Sequence, residues 1–599
     1  MTETGPNQPR LAPKRGDEDF AVFRDEGIYY ADKTQFLKPL FSGTGSRLLL
    51  LRPRRFGKTL TMSTLRRFLE IDFQNPGDTS RQQELFRGLK VMDDREFCEE
   101  HMGRYPVVSV SLKSADGVAY DDAFERLAGV ISRLAWNFSW LDGPDLTEKE
   151  HVFLDRLSDF DYLRQPAGRG FAEQSLVFLC RLLRKCFGDS HKPVLLIDEY
   201  DVPLQKAAAG GYYEPMNRLV GTMLNRALMD RDDICKVILT GCLPATGEAI
   251  FTGVNGLCID TVLARGNGLS AAIGFTPAEA RAMLGYYGFG DLYEKAAGWY
   301  GGYSIGGEAL FCPWDITSHV RELCRSRDPA AVRPKSHWNL TSSSNFIAGF
   351  MPRLAQEDAE CLQDLIAGRS ISLPAYKGMS YGTLDFNNLR SSEFWNILIY
   401  TGYLTLSGTG SGGANELRIP NKEILGYFRD NISGYYRNTW SREYDTLVRG
   451  LMERLLSGDS GGAEDSMSAL LGGFVPLEEN APKAPHGDFY RSFLDSLFAA
   501  AEHSISDCRV LYGSGFAEIT FRSAGGTMAV VIRIEYAPDS TAGLHTLADR
   551  ALEHLEENVC AKALLSQTKI THIAECGMAF RGRSCAVSCR ELLPETPGA

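Results

Sequence analysis

One short stretch constrains this chain more than any other: the apolar run RLLLL leads directly into RPRRFGKT (52–59), and LTMSTLRRFLE comes next. The run has the length and flanks of a buried strand, and the segment after Thr59 has the pattern of a helix. A Gly-Lys-Thr turn between a strand and a helix is the context of a phosphate-binding loop. Backbone N–H groups and the helix N-terminus cradle phosphate oxygens there, a lysine neutralises charge on the terminal phosphates, and a hydroxyl faces magnesium. On this reading Arg52, Pro53, Arg54, Arg55, Phe56, Gly57, Lys58, Thr59 and Leu60 surround the nucleotide, and Thr59 is a metal ligand. The first glycine of the usual pattern is Arg52 here, so the match is incomplete, and an ordinary basic turn is the competing reading.

A second stretch supports the first. VLLIDEYD (194–201) is an apolar strand that ends in two acids. In phosphate-binding-loop enzymes the first acid, here Asp198, orders magnesium, and the second, Glu199, acts as general base on the attacking water. CKVILTG (235–241) supplies a further strand whose Thr240 is placed to sense the γ-phosphate. The roles expected are therefore Lys58, Glu199 and Thr240 in catalysis, Thr59 and Asp198 at the metal, and ATP with Mg2+ as the ligands. PVVSVSL (106–112) is one more strand, and strands alternating with helical stretches imply a parallel sheet covered on both faces.

A chain of 599 residues is too long for one core. Residues 1–18 read as a flexible tail, 19–270 as the α/β nucleotide domain, 271–478 as a mostly helical lid or middle region, and 486–599 as a separate α/β module. The best linker is the Pro-rich stretch Glu479–Gly487. After it come a helix (489–503), strands at 509–521 and 527–536, a long helix (542–565) and a strand at 570–580, an αββαβ order.

A net charge of -12 argues against broad coating of nucleic acid, though not against a local basic groove. No apolar run approaches the roughly 18 residues that span a bilayer, and the N-terminus lacks a signal-peptide segment, so a cytoplasmic protein without membrane contact is expected. Fourteen scattered cysteines suggest reduced thiols. His572, Cys576, Cys585 and Cys589 admit a zinc reading, but their spacing matches no common finger and the stretch also reads as strand, turn, strand.

Taken together, these residues carry a resemblance. RPRRFGKT, preceded by YYADKTQFL (29–37) and followed by LLIDEYDVPL (195–204), resembles the bacterial AAA-ATPase-like family with a C-terminal nuclease-like domain. IFTGVNGL (250–257), GFTPAEA (274–280), WYGGYSIG (299–306), CPWDI (312–316), HWNLTSSSN (337–345), TGYLTL (401–406) and LRIPNKEI (417–424) extend it to about residue 425. The resemblance implies an AAA-like αβα P-loop core, a helical region, and a restriction-endonuclease-like domain of the PD-(D/E)XK superfamily. Within the ATPase there is one departure. The family tends to place basic residues shortly after the third strand, where this chain has Pro244 and Gly247, which lowers the hydrolysis rate expected but not the binding. Arg54 and Arg55 remain in the loop and could serve, although loop arginines more often hold structure or contact a neighbouring subunit, as in a homo-oligomer.

The nuclease signature departs further. The family's metal-binding acid and its lysine correspond to Arg533 and Glu535, and only the first acid survives, as Glu518. An arginine at the metal position repels the metal and can pair with Glu518. The upstream helix acid is lost, since Gly487 precedes Asp488-Phe489-Tyr490, and His554 stands where a Gln is usual; a migrated lysine is the remaining alternative, since His554, Asn558 and Lys562 share one helical face. Three functions are expected in consequence: a nucleotide-driven switch acting on a degenerate nuclease-like module that holds nucleic acid or a protein partner; an active ATP-coupled, metal-dependent DNA nuclease; or a module that binds nucleotide without turnover.

Overall fold

The computed structural model describes residues 16–141, 146–244, 249–265 and 268–337 nearly without interruption. Beyond them it describes 356–366, 368–374, 389–409, 414–428, 443–474, 505–513, 516–523, 526–536, 543–555, 570–581 and 584–592, with a few single residues. The chain divides into two compact units, Met1–Leu340 with Ser372–Ile424, and Thr341–Ile371 with Leu425–Ala599.

The first unit is built on five parallel strands: β1 (Arg47–Leu51), β2 (Val107–Ser111), β3 (Val194–Asp198), β4 (Lys236–Gly241) and β5 (Leu257–Asp260). Their order is β2-β3-β4-β1-β5. Every residue of β1, β3 and β4 is buried, as continuous apolar runs require when both faces of a parallel sheet are covered. Helix α1 (Lys58–Leu69) leaves the end of β1, and the amphipathic helices α2 (Tyr120–Trp136) and α3 (Ser175–Phe187) lie between β2 and β3 in the chain. Helix α4 (Val202–Gly210) follows β3. Because β4 stands between β1 and β3, the loop after β1 and the acids after β3 flank the end of β4.

Beyond residue 270 the expected helices form, beginning with α5 (Pro277–Tyr286), whose Thr276 and Glu279 make a reciprocal cap. With α6 (Pro313–Arg325) it shares a core of Met283, Leu284, Tyr300, Ile316 and Val320. This region is less purely helical than its sequence suggests. It also holds a hairpin of β6 (Tyr303–Ile305) and β7 (Glu308–Leu310), and a second of β8 (Thr405–Thr409) and β9 (Asn415–Arg418). Helix α7 (Ser391–Thr401) precedes the second hairpin. Thr405 joins the two hairpins, accepting from Ser304 N at 2.7 Å and donating to Ser304 O at 2.9 Å.

The second unit contains helices α8 (Glu443–Leu456) and α9 (Ser460–Phe474) and a five-stranded sheet. Its strands are β10 (Ile505–Gly513), β11 (Phe516–Ser523), β12 (Met528–Tyr536), β13 (His572–Arg581) and β14 (Ser584–Leu592), paired in that order. Only the β12–β13 pair is parallel. Helix α10 (Leu544–Glu553) provides the connection between them.

Two sequence expectations shift here. The strand expected over 509–521 is a hairpin, β10 paired with β11. Helices α8 and α9, expected in the middle region, share a core with the sheet: Leu451, Leu455, Met467 and Leu471 are buried with Phe521, Ile532 and Met578. The contacts therefore place 443–474 with the C-terminal sheet, and the 478/486 boundary falls inside the second unit. The linker Glu479–Gly487 and, apart from Leu497, the helix over 489–503 lie outside the described residues, as do 542 and 556–565 of the expected long helix.

Among the described residues no helix is long and apolar enough to cross a membrane. Three of the four residues in the zinc alternative are engaged otherwise: Cys576 pairs with Cys589, and His572 Nδ1 lies 2.6 Å from Glu591 Oε1. The β13–β14 register sets Cys576 opposite Cys589, and the two form a disulfide with Cα atoms 4.1 Å apart, an exception to the expectation of reduced thiols.

Candidate functional site

Helix α1 begins at Lys58 behind Gly57, whose φ of 99° lies in the left-handed region, and no side chain caps its first turn. The first N–H groups of a helix lack intrahelical acceptors and are the donors that anions favour. A Cβ on Gly57 would meet nothing within 4 Å, so open space lies above the loop. Two non-glycine residues share the left-handed backbone, Arg55 at 67° and Glu199 at 53°. Such conformations cost about 1 kcal/mol or more each and persist only where surroundings impose them.

The loop and the acids after β3 meet. Thr59 Oγ1 donates to Asp198 Oδ2 at 2.7 Å, and Thr240 at the end of β4 donates to Asp198 Oδ1. Lys58 is 3% exposed; its Nζ donates to Arg52 O at 3.2 Å and Pro53 O at 3.3 Å, lies 3.3 Å from Cys242 Sγ, and is 3.4 Å from Glu199 Oε1. Burial opposes the Lys58 charge, but the Cys242 sulfur and the acids Glu199, Asp198 and Asp201 hold its pKa above the ordinary value. Burial pushes Asp198 up, Glu199 adds to this, and the bonds from Thr240 and Thr59 oppose it. A buried carboxylate beside a hydroxyl is an all-oxygen donor pair of the kind that a small hard cation takes, so these residues fit Mg2+.

The sequence placed Arg52 at the nucleotide, and the structure puts its side chain elsewhere. The guanidinium is fully buried; Nη2 makes an ion pair with Asp260 Oδ2 at 2.8 Å and donates to Leu269 O at 3.1 Å, while Nη1 donates to Leu51 O. Arg52 thus ties the loop to β5, and only its carbonyl faces Lys58. The Arg55 guanidinium is also engaged away from Lys58, donating to His337 O at 3.1 Å and lying 5.1 Å from the Trp314 ring. Phe56 packs edge-on to Tyr303 at 5.0 Å and is buried.

Asp201 was not singled out in the sequence, though it is the third acid of DEYD. Its Oδ2 accepts the backbone N–H groups of Cys242 at 3.0 Å and Leu243 at 2.9 Å, locking the turn after β4 against the turn after β3. Burial and the Glu199 charge raise its pKa, while these two bonds lower it. Gly241 must be glycine at this crossing, because a Cβ there would stand 2.5 Å from the Tyr200 ring. Pro244 is described, whereas Gly247 lies outside the described residues.

In the second unit, β11–β12 pairing sets Glu518 directly opposite Arg533. The Arg533 guanidinium is 3.9 Å from Glu535, and Glu535 Oε1 is 2.5 Å from His554 Nδ1.

The fold is α/β, and its five-stranded parallel sheet, the strand-to-helix loop carrying a buried lysine, and the acid bonded to the loop threonine are consistent with a P-loop NTPase-like core. Residues 14–251 match the family described as AAA-ATPase_like, Predicted AAA-ATPase. Over 497 residues the chain is 26% identical to an uncharacterized protein in the vnfD 5′ region of Azotobacter chroococcum mcd 1, covering 81% of this chain and 82% of that relative.

Proposed function

We propose that the first unit binds ATP with Mg2+ and hydrolyses it slowly, and that this cycle acts on a second unit that has lost nuclease chemistry. The observation that carries the ATPase reading is the 2.7 Å bond from Thr59 to Asp198, with the Lys58 ammonium buried beside Glu199. Lys58 and the first turn of α1 bind the β- and γ-phosphates. Thr59 and Asp198 hold the cation, which when bound spreads the negative charge of the phosphates. Glu199 orients and deprotonates the attacking water once the phosphates draw Lys58 away from it. Thr240, bonded to Asp198, keeps that carboxylate turned towards Thr59. The fit of residues 14–251 to an AAA-ATPase-like family supports the same reading.

The experiment is phosphate release by wild type and Glu199→Gln, each with and without DNA or RNA. Turnover by wild type that Glu199→Gln abolishes is expected. Measurable ATP affinity with no turnover would replace hydrolysis by nucleotide holding alone, and no affinity for any nucleoside triphosphate would end the reading.

For the second unit we infer an inactive PD-(D/E)XK-like scaffold for nucleic acid or a protein. The support is Arg533 opposite Glu518 and close to Glu535, a cation where the family's magnesium belongs. Incubation with plasmid or single-stranded DNA and Mg2+ is expected to give no cleavage. Cleavage that Glu518→Ala abolishes would restore the active-nuclease alternative.

A further inference from the structure

Four cations lie between Arg52 and Lys58, and their partners separate their roles. Arg52 is held by Asp260, Arg55 donates to His337 O, and Lys58 stands against Glu199. Arg54 differs in where it is held: its Nη2 donates at 2.8 Å to the side-chain amide oxygen of Gln205, and it also bonds to Cys242, the residue beside Lys58, whereas Arg55 donates to a backbone carbonyl away from Lys58. Gln205 lies on α4, the helix that begins three residues after Glu199. Arg54 faces the same groups as Lys58: burial opposes its charge, but Cys242, Asp201 and Glu199 raise its pKa overall. A guanidinium parked on an amide beside the general base can be transferred to a phosphate with little loss, since the amide releases it without leaving a buried charge.

We propose that Arg54 is a catalytic residue that moves from Gln205 onto the γ-phosphate oxygens, supplying from within the loop the positive charge absent at Pro244. This rests on the ATPase reading. In the step it serves, the oxygen of water bonds to the γ-phosphorus and the bond from that phosphorus to the β–γ bridging oxygen breaks. ADP and inorganic phosphate leave, and the proton of the water passes to Glu199. The charge spread over the γ-oxygens in the transition state is what a planar, five-donor cation stabilises, and arginines in this role accelerate phosphoryl transfer by about 10³-fold or more. Gln205 is a positioning residue that holds Arg54 until the γ-phosphate takes it.

The test uses the full chain as wild type, Arg54→Gln, Arg54→Lys and Gln205→Glu, with thermal melts to establish folding. The readouts are kcat from phosphate release, affinity for a fluorescent ATP analogue, and capture of ADP with aluminium fluoride. For Arg54→Gln, kcat falls about 100-fold or more, analogue affinity stays within about fivefold, and aluminium fluoride capture is lost, while Arg54→Lys recovers part of each. Gln205→Glu leaves the loop sequence intact but holds Arg54 by charge, and lowers kcat about tenfold with affinity retained. Wild-type turnover that survives Arg54→Gln, or kcat and affinity falling together, overturns the assignment of Arg54 alone. Wild-type binding without turnover overturns the ATPase reading, and Arg54 with it.

Discussion

Glu199 Oε1 stands 3.4 Å from Lys58 Nζ, so the group that would activate water is held by the group that would bind phosphate. On the proposed ATPase reading, phosphate oxygens would compete with Glu199 for that ammonium, so that the arriving triphosphate would release the base.

Removing the Glu199 charge should therefore act in two directions. Glu199→Gln loses hydrolysis by about 100-fold or more through loss of the base. It also strengthens ATP binding about two- to tenfold, because Lys58 no longer has a carboxylate to leave. Parallel titration and single-turnover measurements check both, and weaker binding by Glu199→Gln would contradict the competition.

Arg52 and Asp260 form a buried pair at 0% and 1% side-chain exposure. Arg52→Met strands the Asp260 charge and should cost about 3–5 kcal/mol, whereas Arg52→Met with Asp260→Leu should recover most of it. Denaturant unfolding measures the difference, and a near-neutral single variant would show that the pair does not hold the loop.

Asp201→Ala leaves the N–H groups of Cys242 and Leu243 without their acceptor. The expected loss is about 2–4 kcal/mol in stability, accompanied by weaker ATP binding as the turn after β4 loosens beside Lys58. Asp201→Asn keeps one acceptor oxygen and should lie between the two. Equal affinity in all three proteins would separate this turn from the site.

His319 is 1% exposed, and burial lowers its pKa from 6.5 to about 4. Its neutral ring packs against Tyr300 with centroids 5.5 Å apart. The folded state thus binds the proton less readily than the unfolded chain. The stability this gives is complete above pH 6.5 and is lost as pH falls towards 4. The loss amounts to roughly 3 kcal/mol by pH 4, and His319→Phe should flatten that part of the pH–stability curve. An unchanged slope would remove His319 as the cause.

Much of the first unit was legible because its signals are local. RLLLL, VLLID and KVILTG are apolar runs bounded by turns, and each becomes a strand. The short β5 was not read as a strand, since three of its four residues are not fully buried and its pattern is weak. In the second unit, the β10–β11 turn was missed although Gly513-Ser514-Gly515 is a turn signal between the two strands; the apolar and aromatic residues on either side read as one continuous strand.

The chain's local order, by itself, determined that a lysine and threonine follow one strand and two acids follow another. Their nearness came from the sheet, whose order only long-range pairing can set: β4 enters between β1 and β3 from nearly 190 residues along the chain. The same holds for Arg52, which reads as a phosphate ligand until Asp260, 208 residues away, takes its charge. Helices α8 and α9 likewise carry an apolar face that could cover several partners, and only packing against Phe521 and Ile532 assigns them to the C-terminal sheet. Side-chain type and spacing state what a residue can do; which neighbour desolvates it and claims its charge depends on contacts between segments far apart in the chain.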